Sequence, residues 1–341
     1  MKALITPWVY SVSIVIRLQI GHASALQPRA ARLDKDEPQR DPVSRSPRGN
    51  DPGYCEVESV RIRGGDVLDE KFVVIHAGKG DAFDVMTAID LRLDARVALR
   101  VVNTDIPEVR ARFLRDAGAS LRPRSEFIVQ PLDYGTLSDG AAYLVVEYVD
   151  GVELSELIQR GQFSFERAMA CFLQICSAVI KAHEMGLRAY LRTKNVLVQD
   201  VPTAAARVKV TGIGIGPLVN YQGHIPGAHA ELDLSLPYMA PEELLGTASD
   251  HRADIWALGI VLCEVVTGRR PFQGASVPEL VGQILLSLPD VSLLSAVPIG
   301  VARIISRCLQ REPRARFDSV HALVAAVSEF APDPRIGDRI R

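Results

Sequence analysis

The hydrophobic period of this chain changes once, near Ser164, and that change restricts the folds open to it. Ahead of it, residues 72–75, 83–89, 96–102, 127–132 and 142–148 have the short apolar or alternating runs of β-strands. Residues 107–121 have helical spacing, and Pro107 suits a first helical turn, where its missing N–H has no partner to lose. From Ser164 onward the apolar spacing is mostly helical, ending in an amphipathic stretch at 320–330. Five strands with one helix, followed by a helical half, predict an α+β fold in two lobes.

A chain of 341 residues is long enough for one such domain. Its formal net charge of -2 argues against a general nucleic-acid binder, which carries a basic excess. The five cysteines, Cys55, Cys171, Cys176, Cys263 and Cys308, form no CxxC pair, so neither a zinc site nor a disulfide framework is indicated. They read as small buried apolar residues in a reducing compartment, and the expected location is cytoplasmic. Residues 1–25 form an apolar N-terminal segment whose run from 3 to 16 is too short to span a bilayer comfortably. With Ala23-Ser24-Ala25 as a cleavage-like site, it reads either as a signal or membrane anchor or as an extension with no targeting role. Membrane association is left open on that account. Residues 26–55, rich in Arg, Asp, Pro and Ser, read as a disordered linker, with order beginning near Glu56. Residues 333–341 form a tail.

Two windows of the sequence contain no acidic residue: from Glu184 to Asp200, and from Asp200 to Glu231. Their meaning comes from the motifs around them. Residues 236–272 read LPYMAPEELLGTASDHRADIWALGIVLCEVVTGRRPF. With Pro241 and Glu242 closing an APE motif, Asp254 and Trp256 inside DIWALG, and Arg316 inside REPRARF, the chain from about residue 71 to 330 resembles a bacterial serine/threonine protein kinase domain of the eukaryotic-like type. The resemblance implies a two-lobed protein kinase-like fold, with a small β-rich upper lobe at 56–149 and a larger helical lobe at 150–332. It implies that Arg316 pairs with Glu242 in the interior, and that Asp254 hydrogen-bonds the backbone of the catalytic loop.

The same resemblance assigns a nucleotide pocket. Val85 and Ala98 match the residues that cover an adenine ring, and Leu197 matches the one beneath it. Glu147, Tyr148 and Val149 match the hinge, with Val146 at the gatekeeper position. Gly78 and Gly80 begin a glycine-rich loop, but its third glycine is replaced by Phe83, and Asp81 places a negative charge there. Apolar residues at such positions are also ordinary core.

The chemical positions depart from the family pattern. Arg100, in VALR, replaces the strand lysine, a planar fork in place of a compact ammonium. Asp116 stands for its helix partner, as a shifted ion pair. HRDxxxxN falls on Arg188, Ala189 and Tyr190, with Asn195 retained at its end. Tyr190 thus takes the place of the Asp that accepts the substrate proton. A phenol, with a reference pKa of about 10, is a poor base at neutral pH. Losing one positioned base costs roughly 10²–10⁴-fold in rate. DFG falls on Gly212, Ile213 and Gly214, so the magnesium carboxylate is replaced by Gly212. Asn195 alone is a poor magnesium ligand set, and no metal site is expected. Arg188, Arg192 and Lys194 leave the loop basic, either as solvated charges or, facing the cleft, as holders of phosphates without metal.

The functional expectation is a pseudokinase: a regulatory, scaffolding or nucleotide-sensing module with a protein partner such as a kinase or another signalling protein. No cofactor is assigned with certainty, and ATP could be held without magnesium. The alternative is a weakly active or unconventional serine/threonine kinase that transfers phosphate from ATP.

Overall fold

The computed structural model describes residues 62–331, apart from 79–82, 103, 105, 162–163, 200–205, 217–234 and 296. The expected segment 1–25, linker 26–55, onset of order near Glu56 and tail 333–341 lie outside the described residues, as do Gly80 and Asp81.

The upper lobe is an antiparallel sheet of six strands: β1 (Val67–Leu68), β2 (Phe72–Gly78), β3 (Phe83–Asp90), β4 (Ala95–Val102), β5 (Pro131–Thr136) and β6 (Ala142–Glu147), in the order β1-β2-β3-β4-β6-β5. Helix α1 (Pro107–Ser120) packs on β5 and β6. Alternation along β4 sorts its side chains between two faces. Val97, Leu99 and Val101 enter a core with Phe72, Val74, Met86 and Val145. Ala98 and Arg100 fall on the opposite face, where Ala98 packs with Leu144, Val146 and the lower-lobe residue Leu197.

The strand expected over 127–132 overlaps the observed one only at residues 131–132. The strand begins only at Pro131. Ahead of it, Ile128 makes a parallel bridge to Val210. The Val129 N–H donates to the Val210 carbonyl and the Val210 N–H to the Phe127 carbonyl, each at 2.8 Å. Ile128 belongs to the lower lobe's core, and Val129 to a cluster shared between the lobes. The apolar run therefore serves two partners in succession.

In the lower lobe a small sheet of β7 (Val152–Glu153), β8 (Val196–Gln199) and β9 (Arg207–Val210) lies against the helices. These are α2 (Leu154–Gln159), α3 (Phe165–Glu184), α4 (Pro241–Leu244), α5 (Arg252–Thr267), α6 (Val277–Leu286), α7 (Val291–Leu294), α8 (Ile299–Cys308) and α9 (Val320–Val327). The hydroxyl of Ser164 accepts the Arg167 N–H and caps α3, which explains why the change of period falls there. Helix α5 is apolar almost all round, because α3 covers one side and α8 another. Among the described residues, no helix is long and apolar enough to cross a membrane.

Candidate functional site

Two buried ionic assemblies hold the lower lobe's loops. Arg316 is 1% exposed, and all five of its N–H donors are used. Two go to the Glu242 carboxylate, both at 2.7 Å, and three to the carbonyls of Gln310, Arg252 and Arg311. Its guanidinium also lies over Trp256, 5.2 Å from the ring centre, and Trp256 stacks on Phe272. The second assembly centres on Asp254, which is fully buried. Its Oδ2 accepts the Ala189 N–H at 3.0 Å and Arg188 Nε at 2.9 Å, and lies 2.9 Å from His183 Nε2. Burial pushes the Asp254 carboxyl up, but the His183 bond and the Arg188 charge outweigh it and hold the group below the usual carboxylate range.

Arg188 is tied into this scaffold through all three of its guanidinium nitrogens. Beyond Asp254, it donates to Ser249 Oγ and Glu243 Oε1, each at 3.0 Å. Of the two readings open for the basic loop, solvated charge or phosphate holder, neither describes Arg188, whose guanidinium is engaged by two carboxylates and a hydroxyl inside the lobe. Of the other two basic residues, Arg192 donates to Asn195 at 3.1 Å, and Lys194 is exposed.

Tyr190 sits at φ +47°, the left-handed region that a non-glycine residue adopts only when its surroundings demand it. The Ala189 N–H bond to Asp254 and the packing of Arg188 over the Tyr190 ring, at 5.3 Å, supply that demand. The phenol lies against the backbone of Gly216, where a Cβ would come within 3.3 Å of its oxygen and 2.8 Å of Arg112 Nη2. Burial raises the Tyr190 pKa, and the nearby Arg188 and Arg112 offset this only in part. Asp116, expected opposite Arg100, has Arg112 of its own helix as its ion-pair partner at 3.7 Å and accepts the Gly216 N–H. Asp116 is one turn along from Arg112 on α1, so the pair closes within the helix.

Between the lobes, Ala98, Val146, Val149 and Leu197 belong to a single apolar cluster with Ile215. Val85 lies opposite Arg100 in the sheet register and is 45% exposed. The hinge carboxylate Glu147 accepts the Gln130 N–H at 2.9 Å and pairs closely with Lys209 of β9. At the inner end of the cleft, Gly212 has φ +79°. A Cβ there would lie 3.1 Å from Arg100 Nη1 and 3.6 Å from Asn195 Nδ2. The Asn195 carbonyl oxygen is taken by Arg192 Nε, which orients the amide with its NH₂ toward Gly212.

The family model for the protein kinase domain matches residues 73–326. The chain belongs to the protein kinase family. It is 27% identical over 280 residues to the probable serine/threonine-protein kinase CPE1738 of Clostridium perfringens, covering 80% of this chain and 40% of that protein. It is 30% identical over 268 residues to serine/threonine-protein kinase Pkn1 of Myxococcus xanthus, covering 75% of this chain and 38% of that protein. It is 28% identical over 252 residues to serine/threonine-protein kinase PknB of Mycobacterium tuberculosis, covering 71% and 40%. The chain therefore spans well under half of these curated relatives. A crystal structure of Rad53 1-466 in complex with AMP-PNP superposes with a TM-score of 0.60 at 23% identity, covering 74% of this chain and 64% of that one, which supports the fold.

Within this kinase domain, the sequence-predicted residues Arg100, Asn195 and Gly212 converge at one point, and Ala98, Val149 and Leu197 line one apolar cluster. Glu242, Asp254 and Arg316 are all buried. Gly78 pairs with Val85 at the end of β2. Magnesium, which the family implies, does not fit the groups that converge. It needs oxygen ligands, chiefly carboxylate or phosphate. The groups here are a guanidinium, an amide NH₂ and a glycine backbone. What sequence reasoning missed is the direction of the Asn195 amide. The signal was Arg192, three residues ahead, where a short 3-10 turn over Thr193–Asn195 brings the two side chains together.

Proposed function

We propose that this kinase domain works as a pseudokinase, a binding or regulatory module that does not transfer phosphate. The observation that carries this reading is the donor cluster at Gly212. Arg100 and Asn195 present N–H groups where phosphoryl transfer needs a metal-binding carboxylate, and Tyr190 holds its hydroxyl against Gly216. The buried frame around Asp254 and Arg316 supports a shaped surface, which a scaffold in cytoplasmic signalling would present to a protein partner. A second reading is an active serine/threonine kinase. It is favoured by the names of the relatives, which describe serine/threonine-protein kinases at 27–30% identity over most of this chain.

Phosphotransfer decides between them. The full chain is incubated with labelled ATP and magnesium or manganese, alone and with a generic basic acceptor protein. The pseudokinase reading expects no incorporation above that of an Asn195→Ala variant. Incorporation that the Asn195→Ala change abolishes establishes the kinase reading instead.

A further inference from the structure

Helix α8 spends only one of its faces on folding. Val301, Ala302, Ile304, Ile305 and Cys308 are buried in the lower-lobe core, where the helix packs on α5. Its outer face has Ile299, Arg303 and Arg307, each one helical turn beyond the last. Ile299 is 71% exposed, an apolar side chain left outside the core. Neither arginine has an ion-pair partner among the described residues. Arg307 lies over the Phe317 ring, 4.2 Å from its centre, a contact that uses none of its N–H donors. Together with Leu294, Ser295 and Ala315, this face lines an open groove of about 570 Å³, within the usual size of ligand clefts. Ser306 and Gln310 also line it, donating to the carbonyls of Ala302 and Ser306, each at 2.9 Å. The Gln310 amide oxygen is left as an acceptor for a peptide N–H. The charge around the groove has one sign. From Val291 to Phe317 the sequence has five arginines and one acidic residue, Glu312. Arg316 is neutralised inside the fold by Glu242, while Arg303, Arg307, Arg311 and Arg314 are exposed.

We propose that this groove docks an extended acidic segment of a protein partner. An apolar side chain of the segment lies against Ile299, and its carboxylates reach the guanidiniums of Arg303 and Arg307, whose planar forks match carboxylate geometry. The spacing agrees with an extended chain. Successive helical turns are about 5.4 Å apart, and alternate residues of an extended peptide about 6.6 Å. One apolar and two acidic residues at alternate positions therefore meet Ile299, Arg303 and Arg307 in order. Other occupants match the groove less well. A flat anionic bilayer does not enter a concave surface. The chain's own residues 332–341 have three arginines and two aspartates, so they do not supply the complementary charge. The groove shares no residue with the cleft around Gly212. The proposal thus goes beyond the pseudokinase reading, and a docking groove serves an active kinase as well as an inactive one.

The test is fluorescence anisotropy of a labelled peptide, with leucine and two glutamates at alternate positions, titrated with the full chain at low ionic strength. Binding is expected, and high salt is expected to weaken it severalfold because exposed ion pairs are screened. A peptide with lysines in place of the glutamates is expected not to bind, and one with serine in place of the leucine to bind severalfold more weakly. Arg303→Glu is expected to lose about tenfold in affinity, because it sets like charge against the peptide. Ile299→Ser is expected to lose severalfold. Both side chains are exposed, and melting curves check that both variants fold. Arg311→Glu makes the same charge change on a nearby arginine outside the groove and is expected to alter affinity little. Failure of the acidic peptide to bind overturns the proposal. So does an equal loss in Arg311→Glu and Arg303→Glu, which assigns the binding to diffuse surface charge. Sedimentation of the full chain with phosphatidylserine vesicles, lost in Arg303→Glu and without peptide binding, assigns the face to a membrane instead. Self-association by sedimentation velocity, lost in Ile299→Ser and without peptide binding, assigns it to a second copy of the chain and likewise overturns the proposal.

Discussion

Replacing Arg316 with methionine is expected to be among the most damaging single changes in the lower lobe. The guanidinium is 1% exposed and saturates all its donors, so its loss strands the Glu242 carboxylate, itself 7% exposed, and three backbone carbonyls. Breaking a buried ion pair from one side costs about 3–5 kcal/mol, because the remaining charge stays desolvated. With a shift of about 2–4 °C per kcal/mol for a domain of this size, the melting temperature should fall by about 6–20 °C. The pair itself is not the source of that stability, since its own desolvation offsets most of its attraction. The double variant Glu242→Met with Arg316→Met is therefore expected to recover much of the loss. Circular dichroism melts and urea midpoints of the two single variants and the double variant measure this. A fall of less than about 2 °C in Arg316→Met, or a double variant no better than the worse single one, would refute the claim that a stranded charge is what unfolds the lobe.

The Asp254→Asn variant keeps the shape but loses the charge that Arg188 and His183 face, and hydrogen exchange should speed up at Ala189 and the following loop amides. Because the Asp254 pKa is held down in the folded state, its contribution to stability is complete above about pH 4, the unfolded carboxylate range, and is lost as pH falls toward the depressed value. An acid titration of stability should thus have a shallower limb in Asp254→Asn than in the parent. The paired change Tyr190→Asp with Gly212→Asp is expected to restore no measurable phosphotransfer, since a side chain at φ +79° is strained and its Cβ meets Arg100 at 3.1 Å. Turnover in that variant would show that the two residues alone stood in the way. Burial pushes the thiols of Cys263 and Cys308 up to about 11 and about 12. Alkylation of the folded chain at pH 8, mapped by mass spectrometry, should leave both unmodified until denaturant is added.

The lobes and most strands were legible because their signals are local. The apolar faces of β3 and β4 and the Pro107 start of α1 depend on nearby residues and on a strong period. The segment at 127–130 defeated the same method because its partner, Val210, lies some eighty residues away and in the other lobe. Strands β7, β8 and β9 have only two to four residues each, too few for a period to register. At the site, motif order located Arg100, Asn195 and Gly212 but not the direction of any polar atom. The basic run Arg188, Arg192 and Lys194 reads as one patch in sequence. In space it divides into a structural arginine, an orienting arginine and an exposed lysine, because Asp254 and Glu243 approach only one of them.

The contacts around Val210 determine how the two lobes can move. Ile128, Val129 and Phe127 fasten the upper lobe's connecting loop to β9, and Lys209 in the same strand grips Glu147 at the hinge. The lobes are thus joined along one edge, much as a door is hung on a jamb. Rotation about that line remains, while sliding or twisting strains several bonds together. Arg100 and Asn195 stand on opposite leaves of the cleft.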